Sequence, residues 1–151
     1  MQWQVAFGRQ QDAAVTPDPA TGALRSSQWW GASALVAYRF SRQLEGTLRA
    51  DYLGDSANGG GTYAIGANGR DGVGPEIVGR AGDGSLLFGN PDRGANRTAV
   101  SVGLSYDVNA NVSVKAEYRL DRASVPVFEY VGDGSVRRGN QLFGAAMVLS
   151  F

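Results

Sequence analysis

The segment AVSVGLSYDVNANVSVKAEYRLD, residues 99–121, constrains the fold more than any other stretch. Val100, Val102, Leu104, Tyr106 and Val108 fall at alternate positions. After the short turn Asn109 to Asn111, so do Val112, Val114, Ala116, Tyr118 and Leu120. The positions between them carry Arg97, Ser101, Gly103, Ser105 and Asp107, then Ser113, Lys115, Glu117, Arg119 and Asp121. Successive side chains of an extended strand point to opposite faces. The pattern therefore predicts an antiparallel hairpin with one apolar face and every charge on the other.

The same layout occurs earlier. In WWGASALVAYRF, Trp30, Ala32, Ala34, Val36, Tyr38 and Phe40 share a face. After SRQ the run resumes with Leu44, Gly46, Leu48, Ala50 and Tyr52, and Glu45, Thr47, Arg49 and Asp51 lie opposite. If Phe40 faces Leu44, then Arg39 faces Glu45, Tyr38 covers Gly46 and Val36 meets Leu48, which pairs opposite charges and lays a ring over a glycine. If Val108 faces Val112, then Ser105, Gly103 and Ser101 oppose Lys115, Glu117 and Arg119. The two hairpins read as copies, RADY at 49–52 matching KAEY at 115–118. A second echo, GDGSLLFGN at 82–90 and GDGSVRRGN at 132–140, precedes later strands.

With MQWQVAFG at the start and QLFGAAMVLSF at the end, about six strands are recognised. The expected fold is all-β, an antiparallel up-and-down meander in a single domain spanning 1–151. The links at 41–43 and 109–111 are tight. Those at about 10–27, 55–95 and 122–139 are long, glycine-rich and polar, and long loops ask for a functional or topological reason. In a meander all of them fall at one end of the sheet.

Composition removes much familiar chemistry. The chain has no cysteine and no histidine, so disulfides, thiol chemistry, the usual zinc sites and histidine acid–base catalysis are excluded. Lysine plus arginine equals aspartate plus glutamate at 14 each, leaving no net field to draw nucleic acid or an anionic membrane surface. No metal, cofactor or enzymatic activity is expected. No apolar run reaches the length of a membrane-spanning helix. The opening residues do not read as a secretory signal, so an export signal is expected outside these residues.

The apolar face admits two explanations. In a soluble antiparallel sandwich it is the core; in a transmembrane barrel it faces lipid. Three observations favour the barrel. Aromatic residues gather at both ends of the face: Tyr38, Phe40, Tyr106 and Phe151 toward the short turns, Trp30, Tyr52, Tyr118 and Phe143 toward the long loops. Such girdles mark membrane interfaces, and a tilted crossing needs about 9–11 residues. Long charged side chains oppose small ones, as a wet barrel interior requires. Finally, Phe143, Ala145, Met147, Leu149 and Phe151 keep the last strand apolar to its end, beside the small face of Gly144, Ala146 and Ser150.

The close FGAAMVLSF resembles the C-terminal strand of Gram-negative outer-membrane β-barrels. The stretch Asn96 to Phe151, above all VSVGLSYDVNANVSVKAEYRLDRASVPVF, resembles a porin-like family of uncharacterised bacterial outer-membrane proteins. The resemblance implies an outer-membrane location, surrounding lipid, and contact with the barrel-assembly machinery through the last strand; a homo-oligomer is compatible with it. Bacterial single-chain barrels have an even number of strands, at least eight. Six strands imply either a further pair within 62–90, with GTYAIGA and SLLFG as candidates, or the C-terminal portion of a longer barrel; the absent export signal favours the second.

The expected pore-lining set is Arg39, Glu45, Arg49, Asp51, Arg97, Asp107, Lys115, Glu117 and Arg119, with a slight cationic excess that points to weak anion preference. The expected activity is passive diffusion of small hydrophilic solutes. A structural or adhesive barrel with a plugged lumen and binding loops is one alternative, and a soluble β-sandwich binding domain a second. GVGPEIVG lacks the lysine and hydroxyl of a phosphate loop. The Asp-Gly pairs at 71–72, 83–84 and 133–134 lack calcium-ligand order and read as turns. The acid pairs Glu45 with Asp51 and Glu117 with Asp121 read as members of salt-bridged ladders beside Arg39, Arg49, Lys115 and Arg119 rather than a hydrolase dyad.

Overall fold

The alternating runs become strands of one antiparallel sheet in a computed structural model, which describes residues 1–12, 18, 20–57, 75–90, 93–130 and 132–150. The sheet contains β1 (Gln2–Gln10), β2 (Ser27–Arg39), β3 (Leu44–Ala57), β6 (Arg97–Asn109), β7 (Val112–Ala123) and β10 (Gly139–Leu149). Their order in space is their order in the chain, an up-and-down meander, and β1 and β10 are its two edges. The fold is all-β, and the six long strands are those expected. Four short strands form two hairpins outside the sheet: β4 (Ile77–Arg80) with β5 (Leu86–Phe88), and β8 (Phe128–Glu129) with β9 (Val136–Arg137).

The expected registers hold in the first hairpin, where Arg39 pairs with Glu45, Tyr38 with Gly46 and Val36 with Leu48. Ser41 caps the turn: its Oγ accepts from the amides of Gln43 and Leu44 at 3.2 and 3.0 Å. The ring over Gly46 is not that of Tyr38. A Cβ at Gly46 would stand 2.7 Å from the Phe40 ring, because Phe40, just beyond the strand, folds back across the turn. In the second hairpin Ser105, Gly103 and Ser101 oppose Lys115, Glu117 and Arg119 as expected. Val108 does not face Val112. A bulge puts Asn109 there instead, and the Asn109 side chain accepts from the Asn111 amide at 2.9 Å. The same turn ties down the last strand, since Asn111 Nδ2 donates to the Ser150 carbonyl at 2.7 Å.

SLLFG does form a strand, but β5 pairs with β4 and adds no member to the sheet. GTYAIGA and Phe151 lie outside the described residues. The echoed GDGS motifs are the turns of the two small hairpins. In each, the aspartate accepts from the amide two residues on, Ser85 to Asp83 and Ser135 to Asp133, both at 2.9 Å. Gly84 and Gly134 sit at φ of 84° and 66°, where a side chain is strained.

The enclosed side of the sheet is the polar one. Ser101 and Asp121 are 6% and 4% exposed, whereas Val102 and Leu104 on the apolar face are 53% and 51% exposed. No second layer of the described residues covers the apolar face. The small core of Ala95, Val127 and Phe128, with Ala123 and Val125 against it, lies at the long-loop end. A few bonds join these loops: Asn96 N to Ser124 Oγ at 3.0 Å, Asp55 N to Asn96 Oδ1 at 2.9 Å, and Ile77 N to the Pro126 carbonyl at 2.9 Å. An Arg80–Glu129 ion pair links the two small hairpins.

Candidate functional site: the charged face and its loop-end trough

Strand parity puts all nine expected lining residues on one face, because each cross-strand pair keeps its parity from β2 through β7. At the short-turn end Arg39 meets Glu45 at 3.6 Å, an exposed pair of little energetic weight. Lys115, Glu117 and Asp107 share the face without an ion pair among the described residues. The expected ladder is therefore not continuous: Glu117 does not join it, since along and across β7 it faces Gly103 and Gly144.

The tight part of the network is at the loop end. Arg49 Nε donates to Asp51 at 2.9 Å. Arg97 and Arg119 converge on Asp121 from neighbouring strands, with Nη2 atoms 2.7 and 3.1 Å from one carboxylate oxygen. Asp121 is the residue that the lining set lacks. Buried between two guanidiniums, it offsets the cationic excess of that set, whose acids and bases then balance.

These groups border an open trough of about 340 Å³ whose walls come from β1, β2, β3, β6 and β7, including Gln4, Ser33, Arg49, Asp51, Arg97 and Arg119. Side chains from five successive strands can border one trough only if that face is concave. Three guanidiniums stand in the wall with Asp51, and the Asp121 carboxylate is bonded to two of them, so among these groups the bases exceed the acids by one and the local field leans toward anions. The loop between β7 and β10 reaches this place as well. The Phe128 ring lies 5.6 Å from the Arg97 guanidinium carbon, a cation–π contact that leans the small loop core over the charged face. Sequence reasoning treated 122–139 as a polar loop and missed this. The signal was present in SVPVFEY, where Val125, Val127 and Phe128 interrupt a run of charges and glycines.

On the other face the aromatic residues form two groups. Tyr38 and Phe40 pack edge to face at 5.0 Å between ring centroids, toward the short turns. Trp30 and Tyr52 meet at a tilt of 42° with ring centroids 4.8 Å apart, toward the long loops. Tyr118 pairs with Phe143 across β7 and β10, and its hydroxyl donates to Gln141 at 2.9 Å. Tyr106 pairs with Leu44 and Val114. From Trp30 to Phe40 is ten residues, or about 34 Å of strand, and about 26 Å along the normal at a tilt near 40°.

A family model covers residues 2–151. The chain belongs to the DUF3138 family of proteins of unknown function. The match spans both hairpins, the loops and the closing strand, so this DUF3138 member carries the charged face and the aromatic groups within a single family unit. No curated protein and no solved structure matches the chain.

Proposed function

We propose that this chain forms the wall, or a sector of the wall, of a porin-like outer-membrane β-barrel that lets small hydrophilic solutes diffuse through, with anions favoured at the loop-end trough. The observation that carries the reading is the inversion of sides: charged residues line the concave, enclosed face, and large apolar residues stand exposed on the other. A soluble sandwich requires the reverse, an apolar face covered by a second layer. Two aromatic groups separated by about 26 Å fit the apolar band of an outer-membrane barrel, about 25 Å tall. The C-terminal strand, apolar at alternate positions, presents the signal to the assembly machinery, and further strands complete the wall beyond the β1 and β10 edges.

A plugged barrel with a binding or structural role is the second reading, favoured by Phe128 leaning over Arg97. Planar-bilayer conductance of the full-length protein separates the two. Channels with a reversal potential displaced toward the anion in a salt gradient support diffusion. An absence of channels overturns it. Channels that appear only after removal of residues 128–137 support the plug.

A further inference from the structure

The outward face of β7 changes character within a few residues. Tyr118 and Leu120 belong to the apolar face, and Arg122, next in the same outward row, pairs with Thr98 on β6 and Gly139 on β10. Beside it opens a cavity of about 700 Å³ whose lining includes Val100 and Leu120 and, among its polar members, Arg122, Arg137, Tyr130, Gln141 and Asp121. Arg137 is set by two contacts: its guanidinium carbon lies 4.0 Å from the Tyr130 ring centroid, and Nη2 is 3.2 Å from Asp133. Asp133 compensates part of its charge. Arg122 has no acidic partner among the described residues. The Asp121 carboxylate cannot serve, because Arg97 and Arg119 hold it on the other face.

This cavity is amphipathic along the direction in which the apolar belt ends: valine and leucine within the belt, guanidiniums and an aromatic ring one step beyond. A free inorganic anion would need only the cationic part. A ligand that uses both parts has a negative headgroup attached to an acyl chain, and it approaches from the side, where the cavity faces what surrounds the sheet. We infer that Arg122 and Arg137 bind the phosphate headgroup of an anionic membrane lipid, whose chain lies along Val100 and Leu120. The inference rests on the outer-membrane reading and extends it to a specific lipid contact at the loop-end rim.

The test uses the full-length protein assembled in detergent micelles, with phosphatidylglycerol and phosphatidylcholine of equal chain length as probes and native mass spectrometry as the readout. The wild-type protein should retain phosphatidylglycerol about five-fold or more over phosphatidylcholine, about the effect of one uncompensated arginine at a lipid surface. Arg122→Gln combined with Arg137→Gln should abolish the preference while far-UV circular dichroism stays unchanged, since both side chains are exposed. Retention of the preference in the double variant overturns the site. Complete displacement of the lipid by millimolar inorganic phosphate overturns the lipid assignment in favour of a free-anion site. A protein that assembles in micelles and opens channels but shows no headgroup preference refutes this inference alone, whereas failure to assemble refutes the membrane reading and this inference with it.

Discussion

Replacing Val102 with arginine puts a charge at the centre of the apolar face. Val102 stands four residues from Tyr106 on the same strand, about 10 Å along the membrane normal at a 40° tilt, close to half the height of an apolar band. Its cross-strand neighbours are Leu48 and Tyr118, and the side chain is about half exposed. In lipid the substitution costs about 2–4 kcal/mol at the midplane, which lowers the folding equilibrium about 30- to 700-fold. In water a half-exposed valine on an uncovered strand face changes stability by no more than about 0.5 kcal/mol. Ser105→Arg is the matched control. It lies three residues along the same strand on the charged face, between Glu45 and Lys115, where a wet lumen accommodates another guanidinium. The assay folds each urea-unfolded, full-length variant into phospholipid vesicles and titrates with urea, following circular dichroism and protease protection. The expected order is wild type and Ser105→Arg nearly equal, Val102→Arg far lower. Equal midpoints for Val102→Arg and wild type would refute lipid exposure of this face.

Two further outcomes follow from the ion pairs and turns. Asp121→Asn removes the carboxylate that Arg97 and Arg119 share; with both arginines partly exposed, the loss should be about 2–3 kcal/mol in urea titration, somewhat less than for a fully buried pair, and the reversal potential should move further toward the anion. In the two GDGS turns, hydrogen bonds from the Ser85 and Ser135 side chains, then from their amides, hold Asp83 and Asp133 below the ordinary aspartate value of 3.8. Folded-state values that are depressed favour the carboxylate, so the turns keep this contribution above pH 3.8 and lose it as pH falls through the lowered values. The Ser85 and Ser135 amide chemical shifts should titrate with midpoints below 3.8; midpoints at or above it contradict the turn geometry.

The long strands were legible because period two and tight turns fix register together: once Arg39 opposes Glu45, every later pair in that hairpin follows, and a one-residue slip would turn the whole apolar row to the wrong face. Detail at the turns was less legible. Parity assigned Tyr38 to the face of Gly46, but the choice between Tyr38 and Phe40 as its cover depends on how the chain bends after the strand ends. The bulge at Val108 likewise follows from an asparagine side chain satisfying a backbone amide, a local bond that alternation does not encode. The loop hairpins were hidden for a different reason. Their strands are two to four residues long, too short for periodicity, and what joins them is a contact across 49 residues between Arg80 and Glu129. Asp121 was visible as a charge but not as the acid shared by two arginines, because convergence from β6 and β7 depends on the diagonal geometry of neighbouring strands.

The two edges of the sheet extend the argument about sides to whatever pairs with them. β1 turns Trp3, Val5 and Phe7 outward, in register with Ala34, Ala32 and Trp30. β10 turns Phe143, Ala145, Met147 and Leu149 outward, in register with Tyr118, Ala116, Val114 and Val112. Each edge offers a row of backbone donors and acceptors that hydrocarbon cannot satisfy, at a cost of several kcal/mol per group. In a membrane both edges must therefore be paired. Because side chains alternate with a period of two, a strand added at either edge must place its own apolar residues in the same outward row and its polar residues in the lumen row. An adjoining strand with polar residues in the outward row would put them in lipid. The chemistry of any strand that pairs with them in a membrane is thus specified by the edges themselves: alternating segments of about nine to eleven residues, apolar on the side of Phe7 and Phe143.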